Sequence, residues 1–134
     1  TLRLESKFLL YGNDMTDTTN PLEAGLGWVT KLDRATEFIG KSSLQAIKDA
    51  GVTRRLRGLV LQDRGVIRHD YPIFVGDKEV GIVTSGGYSP TLEQSIGLGY
   101  IALEFCDAEH VDIEIRGRRV SATTTKKPFY KRKD

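Results

Sequence analysis

The sequence has few of the side chains from which metal centres, disulfide frameworks and proton relays are built. Its 134 residues include one cysteine, Cys106, and two histidines, His69 and His110. A single cysteine excludes a disulfide framework within the chain and a cysteine-based structural zinc site. Two histidines far apart in sequence, with one cysteine, do not supply the ligands of a soft-metal site. We therefore predict no metal-binding residues.

Long apolar runs and a leader are also missing. The longest apolar stretches are a few residues, such as Leu59–Leu61, whereas a transmembrane helix needs about 20. No basic segment followed by an apolar one is visible, so no signal peptide is predicted. Thr1–Glu5 has the pattern of a helix already in progress without an N-cap. This predicts that the chain is a fragment of a longer protein; a processed or tagged start is the alternative.

Positive charge is concentrated at the C-terminus. The net charge is +2, and residues 126–134 carry five basic side chains and one acidic one, so they contribute +4 and the other 125 residues −2. This argues against nucleic-acid binding by the whole surface. Apolar residues make up 39% and charged residues 28%, a globular composition that suits one domain, or a small domain with an appendage.

Residues 1–51 are predicted to mix short helices, loops and a strand. Residues 1–12 have the pattern of the end of a helix, and a polar loop then leads to a helix that starts at Pro21. The glycines in residues 25–29 predict a turn into a short strand that ends near residue 32. Ser42 is the candidate N-cap of the best helical pattern in the chain, which Gly51 ends.

From residue 54 onward, short strands recur at regular spacing, which is typical of an antiparallel barrel or sandwich. Turn residues at 76–78 and 116–118 predict two tight hairpins. The predicted fold class is α+β, with a mixed helix and strand segment up to a boundary near residues 51–54 and an antiparallel barrel or sandwich after it. The strands are predicted at residues 56–61, 71–75, 79–84, 96–103, 110–115 and 118–125.

The histidines and the cysteine are poor candidates for catalysis. His69 lies in a charged turn and His110 begins an amphipathic strand, so both are predicted to be surface residues. Acidic neighbours disfavour a thiolate at Cys106, which is predicted to be a buried structural cysteine. A serine–histidine–aspartate hydrolase is not indicated.

Two glycine-rich segments need an interpretation. Residues 97–102 match the spacing of a dinucleotide-binding fingerprint, but no helical pattern follows them to hold a phosphate, so we reject a dinucleotide site. Residues 84–90 combine two glycines with hydroxyl residues after a strand. They predict either a wide loop or a contact with a ligand or a neighbouring domain.

Aromatic residues beside flexible or basic segments are the remaining binding candidates. Trp28 follows a glycine-rich stretch, and its indole is either a core anchor or a surface on which a heterocycle or benzoyl ring stacks, as is Tyr11. Residues 128–133 join aromatic to basic side chains. They form either a site for a polyanion, such as nucleic acid or polyglutamate, or a solvated tail.

Nine segments recur in a familiar order and spacing through essentially the whole chain. They are TLRLE (1–5), LYGNDM (10–15), TNPLEAGLGW (19–28), FIGK (38–41), RGL (57–59), VGIVTSG (80–86), SPTL (89–92), IGLGY (96–100) and KPFY (127–130). Together they resemble the C-terminal part of the glycine cleavage system T-proteins, the folate-dependent aminomethyltransferases.

The resemblance implies a three-domain enzyme around a central folate channel. A small antiparallel β-barrel in residues 52–134 is implied as its last domain, and residues 1–51 as the end of the folate-binding domain before it. In that family, the lipoyl-carrying H-protein delivers an aminomethyl group, and its carbon passes to tetrahydrofolate with release of ammonia. Tetrahydrofolate is thus the implied cofactor. The H-protein and the missing N-terminal portion are the implied partners, in the bacterial cytoplasm or the mitochondrial matrix of a eukaryote, with no membrane partner.

The resemblance also implies where the functional residues lie. The family's catalytic aspartate and acidic pterin anchor precede the equivalent of Thr1, so no catalytic residue is expected here, and the chain alone is expected to be inactive. Tyr11 and Trp28 are implied as walls around the benzoyl-glutamate end of folate, and Tyr130 and Arg132 as contacts for its carboxylates. Glu23 is either a folate contact or a helix N-terminal charge.

Two other functions stay open. One is the C-terminal folate-binding part of a sarcosine- or dimethylglycine-oxidising enzyme, which shares the architecture and needs an additional flavin domain. The related iron–sulfur maturation proteins carry a Lys-Gly-Cys-Tyr-type motif, which this sequence lacks. The other function is a non-catalytic module, in which the barrel and basic tail bind an acidic partner or nucleic acid.

Overall fold

The strand-forming segments in the second part of the chain close into an antiparallel barrel. The computed structural model describes residues 1–133, and within them six strands follow the order β1-β4-β3-β2-β5-β6 around the barrel, with β6 paired to β1. This confirms the α+β class with a small antiparallel barrel. The strands are β1 (Arg54–Leu61), β2 (Pro72–Val75), β3 (Lys78–Ser89), β4 (Gln94–Ala102), β5 (His110–Ile115) and β6 (Arg118–Thr125).

Both predicted hairpins are present. Gly76 and Asp77 connect β2 to β3, and Gly76 has a φ of 60°. Arg116 and Gly117 connect β5 to β6 with φ values of 50° and 77°. Positive φ at both central residues is the type I′ geometry, whose twist matches that of the strands it joins.

Side chains on the two faces of β4 pack into two different apolar clusters. Ile101 points into the barrel, where it packs in one cluster with Leu59, Ile73 and Ile113. On the other face of the wall, Tyr100 packs in a second cluster that includes Leu4 from the N-terminal segment. Burial of one large aliphatic side chain contributes about 1.5–3 kcal/mol. The second cluster therefore fixes the N-terminal segment on the outside of the barrel.

The glycine-rich segment at residues 84–87 is part of a strand, so the predicted wide loop is wrong. After a bulge, β3 continues to Ser89 and stays paired with β4. A Cβ at Gly86 would collide with the carbonyl of Ile67. The glycine thus serves a close approach of backbone to backbone within this chain.

The glycines of the rejected dinucleotide fingerprint also belong to the barrel wall. They lie in β4, which is followed by a three-residue 3-10 helix, Leu103–Phe105, rather than by an α-helix. A Cβ at Gly97 would lie 2.8 Å from Cγ2 of Ile67, inside normal contact distance. The described structure therefore supports the rejection of a dinucleotide site.

The first half of the N-terminal segment differs from the prediction. The predicted helix over residues 1–12 is wrong beyond its first turn, because α1 spans Leu2–Glu5 and Lys7 then adopts a left-handed φ of 57°. The carboxylate of Glu5 accepts a hydrogen bond at 2.6 Å from the hydroxyl of Ser89 in the barrel. This buried contact holds the last residue of α1 on the barrel, next to the point where the chain turns.

The predicted helix at Pro21 and the strand ending near residue 32 are also wrong. Residues 21–25 form turns, and α2 is a single helical turn, Gly27–Thr30. The hydroxyl of Thr30 donates to the carbonyl of Gly27 at 2.7 Å, and Lys31 then ends α2 with a φ of 50°.

Helix α3 spans Lys41–Ala50, and Gly51 ends it as predicted, with a φ of 85°. Its N-cap is Gly40 rather than the predicted Ser42, which lies inside the first turn. The helix is the longest of those described, and none of them has both the length and the apolar character needed to cross a bilayer. The division into domains at residues 51 and 52 stays a prediction.

Candidate functional site

A groove of about 910 Å³ lies where the N-terminal segment meets the barrel. One wall comes from the chain after α1 and before α2, and the other comes from β1, the turn after the 3-10 helix and the chain after β6. Its charged lining comprises Lys7, Arg55, Arg57 and Lys126 against the single carboxylate of Asp107, a net charge of +3. The groove is therefore suited to an anionic ligand.

The N-terminal wall is held in place by Asp14, which is fully buried. Its carboxylate accepts hydrogen bonds from the Leu10 amide at 2.9 Å, from Arg3 Nη1 at 3.0 Å and from the Thr84 hydroxyl at 2.6 Å. The Tyr100 hydroxyl donates to the Asp14 carbonyl at 2.7 Å. Since Thr84 lies in β3 and Tyr100 in β4, these bonds tie the wall to the barrel.

A second side-chain contact fixes the segment before Trp28 to strand β1 of the barrel. The buried carboxylate of Glu23 accepts hydrogen bonds from Arg54 Nε at 3.1 Å and Nη2 at 3.2 Å. The Arg54 guanidinium also lies 4.2 Å from the ring centroid of Tyr100, which is a cation–π contact. Burial, together with the charge of Glu23, raises the pKa of Tyr100 to about 12. Glu23 is therefore a partner of Arg54. Its carboxylate also accepts a hydrogen bond from the Asn20 amide at 3.2 Å, and its amide donates to Asn20 Oδ1 at 2.9 Å, at the start of the turns that replace the predicted helix.

Three of the four cations of the groove, Lys7, Arg57 and Lys126, form one connected cluster. The buried Arg57 donates from Nε to the Cys106 carbonyl at 2.8 Å, and its Nη2 lies 3.6 Å from Asp107 Oδ1. Lys126 Nζ lies 2.7 Å from the same Asp107 oxygen. Lys7 Nζ donates to the Lys126 carbonyl at 2.8 Å. Three segments far apart in sequence thus bring their charges together.

The electrostatics of this cluster favour negative charge. The hydrogen bond from Lys126 holds the pKa of Asp107 below its usual range. Burial, and then the nearby charge of Arg57, lower the pKa of the Lys7 ammonium. Burial destabilises the ammonium because it removes water from the charge, and the positive charge of Arg57 adds a smaller repulsion. A further anion in the groove would offset that repulsion.

Trp28 and Tyr11 lie on adjoining cavities. Trp28 lines the groove and is 71% exposed, so its interpretation as a core anchor is wrong. Tyr11 is 69% exposed and lines a neighbouring cavity of about 150 Å³, which shares Met15 and Leu26 with the groove. Both aromatic rings are accessible to a ligand, and their role as folate walls stays a prediction.

Tyr130 and Arg132 belong to the chain after β6. The Tyr130 amide donates to the Glu5 carbonyl at 3.0 Å, and Arg132 is exposed. Within residues 1–133, neither of them lines the groove. Their predicted contacts with folate carboxylates are not tested by this arrangement. Asp134, the acidic residue of the basic tail, lies outside the described residues.

The remaining candidates lie as the sequence predicts. His69 and His110 are exposed, and Cys106 is buried. In the described part of the chain, no three side chains of His, Cys, Asp or Glu are grouped closely enough to hold a metal ion.

Residues 54–131, which form nearly the whole barrel region, match the family described as the glycine cleavage T-protein C-terminal barrel domain. The chain belongs to this family. It is 53% identical over 132 residues to an aminomethyltransferase of Picosynechococcus sp. and 47% identical over 129 residues to one of Pseudothermotoga lettingae. The solved structure of glycine cleavage system aminomethyltransferase T from Bartonella henselae matches with a TM-score of 0.88 and 30% sequence identity. These findings confirm the resemblance noted above.

The matches cover nearly all of this chain but a smaller part of each relative. They include 98%, 96% and 96% of the chain for the proteins of Picosynechococcus, Pseudothermotoga and Bartonella, and 36%, 35% and 37% of those proteins. The chain therefore spans just over a third of the length of the relatives it matches.

Several residues of the site were not assigned a role from the sequence. Asp14 and Arg57 lie in two of the segments that carry the family resemblance, so a signal for them was present. Lys126 was marked only as part of the basic tail and Lys7 not at all, because the two lysines are 119 positions apart and meet only through the fold.

Proposed function

We propose that this chain is part of a folate-dependent aminomethyltransferase of the glycine cleavage system. The whole enzyme would transfer the one-carbon unit from the aminomethyl-lipoyl H-protein to tetrahydrofolate with release of ammonia. The proposal rests on the family match, supported by the similarity of 98% of the chain to a protein named aminomethyltransferase. In this assembly, residues 1–51 end the folate-binding domain, residues 52–134 form the C-terminal barrel domain, and the catalytic carboxylate lies outside this chain.

The exposed side chains around the groove fit the benzoyl-glutamate end of a folate. The indole of Trp28 offers a flat face for an aromatic ring, and Tyr11 offers a second one. The net charge of +3 in the groove favours carboxylates. Tyr130 and Arg132 are proposed to contact carboxylates from the C-terminal side. These residues bind and orient the folate, and the folate itself accepts the carbon.

The test uses the complete enzyme that contains this chain, with aminomethylated H-protein and tetrahydrofolate as substrates. We expect methylene-tetrahydrofolate and ammonia to form in equal amounts. In Trp28→Ala, the KM for tetrahydrofolate should rise about tenfold, because a stacked aromatic pair contributes roughly 0.5–1.5 kcal/mol beyond its buried area. The kcat should change less, and Trp28→Phe should keep most of the affinity.

Tyr88→Ala is the matched control, because Tyr88 is an exposed aromatic residue of β3 that does not line the groove within the described residues. Its KM should match that of the wild type. Absence of folate-dependent transfer by the complete enzyme would refute the proposed function. An unchanged KM in Trp28→Ala would refute the role of Trp28 alone.

A further inference from the structure

Residues 25–55 include two helices but no buried side chain. Helix α3 has ten residues, and an isolated helix shorter than about 12–15 residues is marginal in water, so helices of this length depend on packing of an apolar face. In α3, Leu44 and Ile47 are only half-buried. The segment therefore needs a packing partner that the barrel does not supply.

The loop before α3 presents a large apolar side chain to solvent. Ile39 is fully exposed, and its neighbour Phe38 is 40% exposed. Burial of an isoleucine side chain is favourable by an amount that corresponds to roughly a ten- to hundredfold change in a binding constant. An isoleucine at this position is therefore suited to enter an apolar pocket of another surface.

Lys41 holds this loop in a defined shape. Its side chain is 14% exposed, and its ammonium donates to the carbonyls of Arg34 at 2.5 Å and Thr36 at 3.1 Å. The Lys41 amide donates to the Phe38 carbonyl at 3.2 Å, and Gly40 turns the chain with a φ of 88°. Because these contacts order the loop before a partner arrives, less conformational entropy is lost when it docks.

A cavity of about 380 Å³ lies beside this loop. Phe38 and Val29 line it, and Val29 is 47% exposed. The charged lining residues are Lys31 and Arg34. A partner that covers this surface would therefore place apolar side chains over Val29 and Phe38 and carboxylates beside the two cations.

A second copy of the chain is a poor match for this surface. In a two-fold pair the same patch contacts itself, so Lys31 and Arg34 would face cations of the other copy. The relatives offer a different occupant, because the match covers 36% of the Picosynechococcus protein and most of that protein lies outside it.

We propose that Val29, Phe38 and Ile39 form a docking surface for the part of the aminomethyltransferase that lies outside this chain, with Ile39 inserted into an apolar pocket of that part. The choice of partner rests on the proposed function, which makes this chain one portion of a larger enzyme. Carboxylates of the same part lie beside Lys31 and Arg34. Within the described residues, none of these five side chains lines the groove.

The experiment compares the rate of maleimide labelling of Ile39→Cys in the 134-residue chain and in the complete enzyme that contains it. The chain's own cysteine, Cys106, is buried, and peptide mass spectrometry reads the two positions separately. In the 134-residue chain the introduced thiol should react rapidly, because position 39 is fully exposed. In the complete enzyme the rate should fall at least about tenfold, because a docked thiol reacts only while the contact is open.

Tyr88→Cys is the matched control, because Tyr88 is an exposed large apolar residue of the barrel. Its labelling rate should stay within about twofold between the two proteins. An equal fall at position 88 would overturn the inference, because the protection would then come from general shielding by a larger protein.

A second variant tests the same contact without a thiol. Ile39→Asp should leave the urea midpoint of the 134-residue chain unchanged, because the side chain is fully exposed there. In the complete enzyme it should lower the midpoint of thermal unfolding by about 2 °C or more, because a carboxylate would be buried in an apolar pocket.

Equally fast labelling of Ile39→Cys in the two proteins, or an Ile39→Asp variant that leaves the complete enzyme as stable as wild type, would overturn the inference. A labelling rate in the 134-residue chain that falls as its concentration rises would also overturn it and assign the surface to a second copy. None of these measurements uses folate or H-protein. A complete enzyme that protects position 39 but transfers no one-carbon unit would therefore refute the proposed function alone.

Discussion

Asp14 is the residue whose replacement should most clearly loosen the N-terminal wall of the groove. Its buried carboxylate accepts three hydrogen bonds, from the Leu10 amide, Arg3 and the Thr84 hydroxyl. Asparagine has the same shape but presents one acceptor oxygen and an NH₂ group, so Asp14→Asn loses the ion pair with Arg3. Asp14→Ala removes the carboxylate altogether, so the Leu10 amide, Arg3 and the Thr84 hydroxyl lose their shared acceptor.

The structure sets the size of the two effects. A hydrogen bond to a charged group contributes about 1.5–3 kcal/mol, and a buried donor left without an acceptor costs about 1–3 kcal/mol. The side chain of Arg3 is 33% exposed, so water can hydrate its guanidinium once the carboxylate is gone. The loss of the Arg3 contact therefore contributes less to the fall in stability. We therefore expect the free energy of unfolding to fall by about 2 kcal/mol in Asp14→Asn and about 4 kcal/mol in Asp14→Ala.

Urea denaturation followed by far-ultraviolet circular dichroism measures the global effect, and Asp17→Ala, at an exposed position of the same loop, should stay within about 0.5 kcal/mol of wild type. Hydrogen exchange of the Leu10 amide measures the local effect, because that N–H donates directly to Asp14. Losses below about 1 kcal/mol in both Asp14 variants, with the Leu10 amide still protected, would show that this network does not hold the wall.

Three further predictions concern the barrel. Ser85→Ala should leave the free energy of unfolding unchanged or raise it by about 1 kcal/mol, because the buried Ser85 hydroxyl has no hydrogen-bond partner within residues 1–133. Ser89→Ala should lower it by about 1–3 kcal/mol, because that hydroxyl bonds to Glu5; equal urea midpoints for the two variants would contradict the reasoning. Gly97→Ala should lower the free energy of unfolding by about 1–3 kcal/mol through overpacking, whereas Gly87→Ala, where a Cβ meets nothing within 4 Å, should not lower it. Tyr100 should ionise near pH 12 in an absorbance titration of wild type minus Tyr100→Phe. The phenol of the unfolded chain loses its proton at about pH 10, while the folded protein keeps it up to about pH 12. The free energy of unfolding should therefore fall by about 1.4 kcal/mol per pH unit between pH 10 and pH 12. Ionisation of Tyr100 near pH 10 in the folded protein would refute the burial argument.

The strands and hairpins of the barrel could be predicted from the sequence because their signals are local, whereas the choice of a barrel over a sandwich came from the family resemblance. Residues 110–115 alternate apolar and polar side chains, and the turns at 76–78 and 116–118 have the residues that tight hairpins need. The N-terminal segment could not be predicted in this way. Helix α1 ends at Glu5, whose carboxylate accepts a hydrogen bond from Ser89, 84 positions away. No window of local sequence contains both partners, so the helical pattern of residues 1–12 was misleading.

From local sequence, a residue of the site could be recognised only where its own type and neighbours marked it as a binding candidate. Trp28 stands out as a lone tryptophan beside glycines, but the sequence left open whether it was core or surface. The chain before it is held by Glu23, which the fold pairs with Arg54 at 31 positions' separation. That pair fixes the chain before Trp28 against the barrel while the indole stays in the groove.

The basic tail shows why a charge count along the chain is a weak guide to binding. From the sequence, Lys126 is one of five basic residues in a terminal segment, and the segment suits either a polyanion site or a solvated tail. In the structure, its ammonium is paired with Asp107 and its carbonyl accepts a hydrogen bond from Lys7. Lys126 therefore belongs to the groove, whereas the exposed Lys127 and Lys131 do not line it in the described part of the chain. A ligand that recognises spatial clusters of charge would distinguish these lysines, and one attracted to the tail as a whole would not.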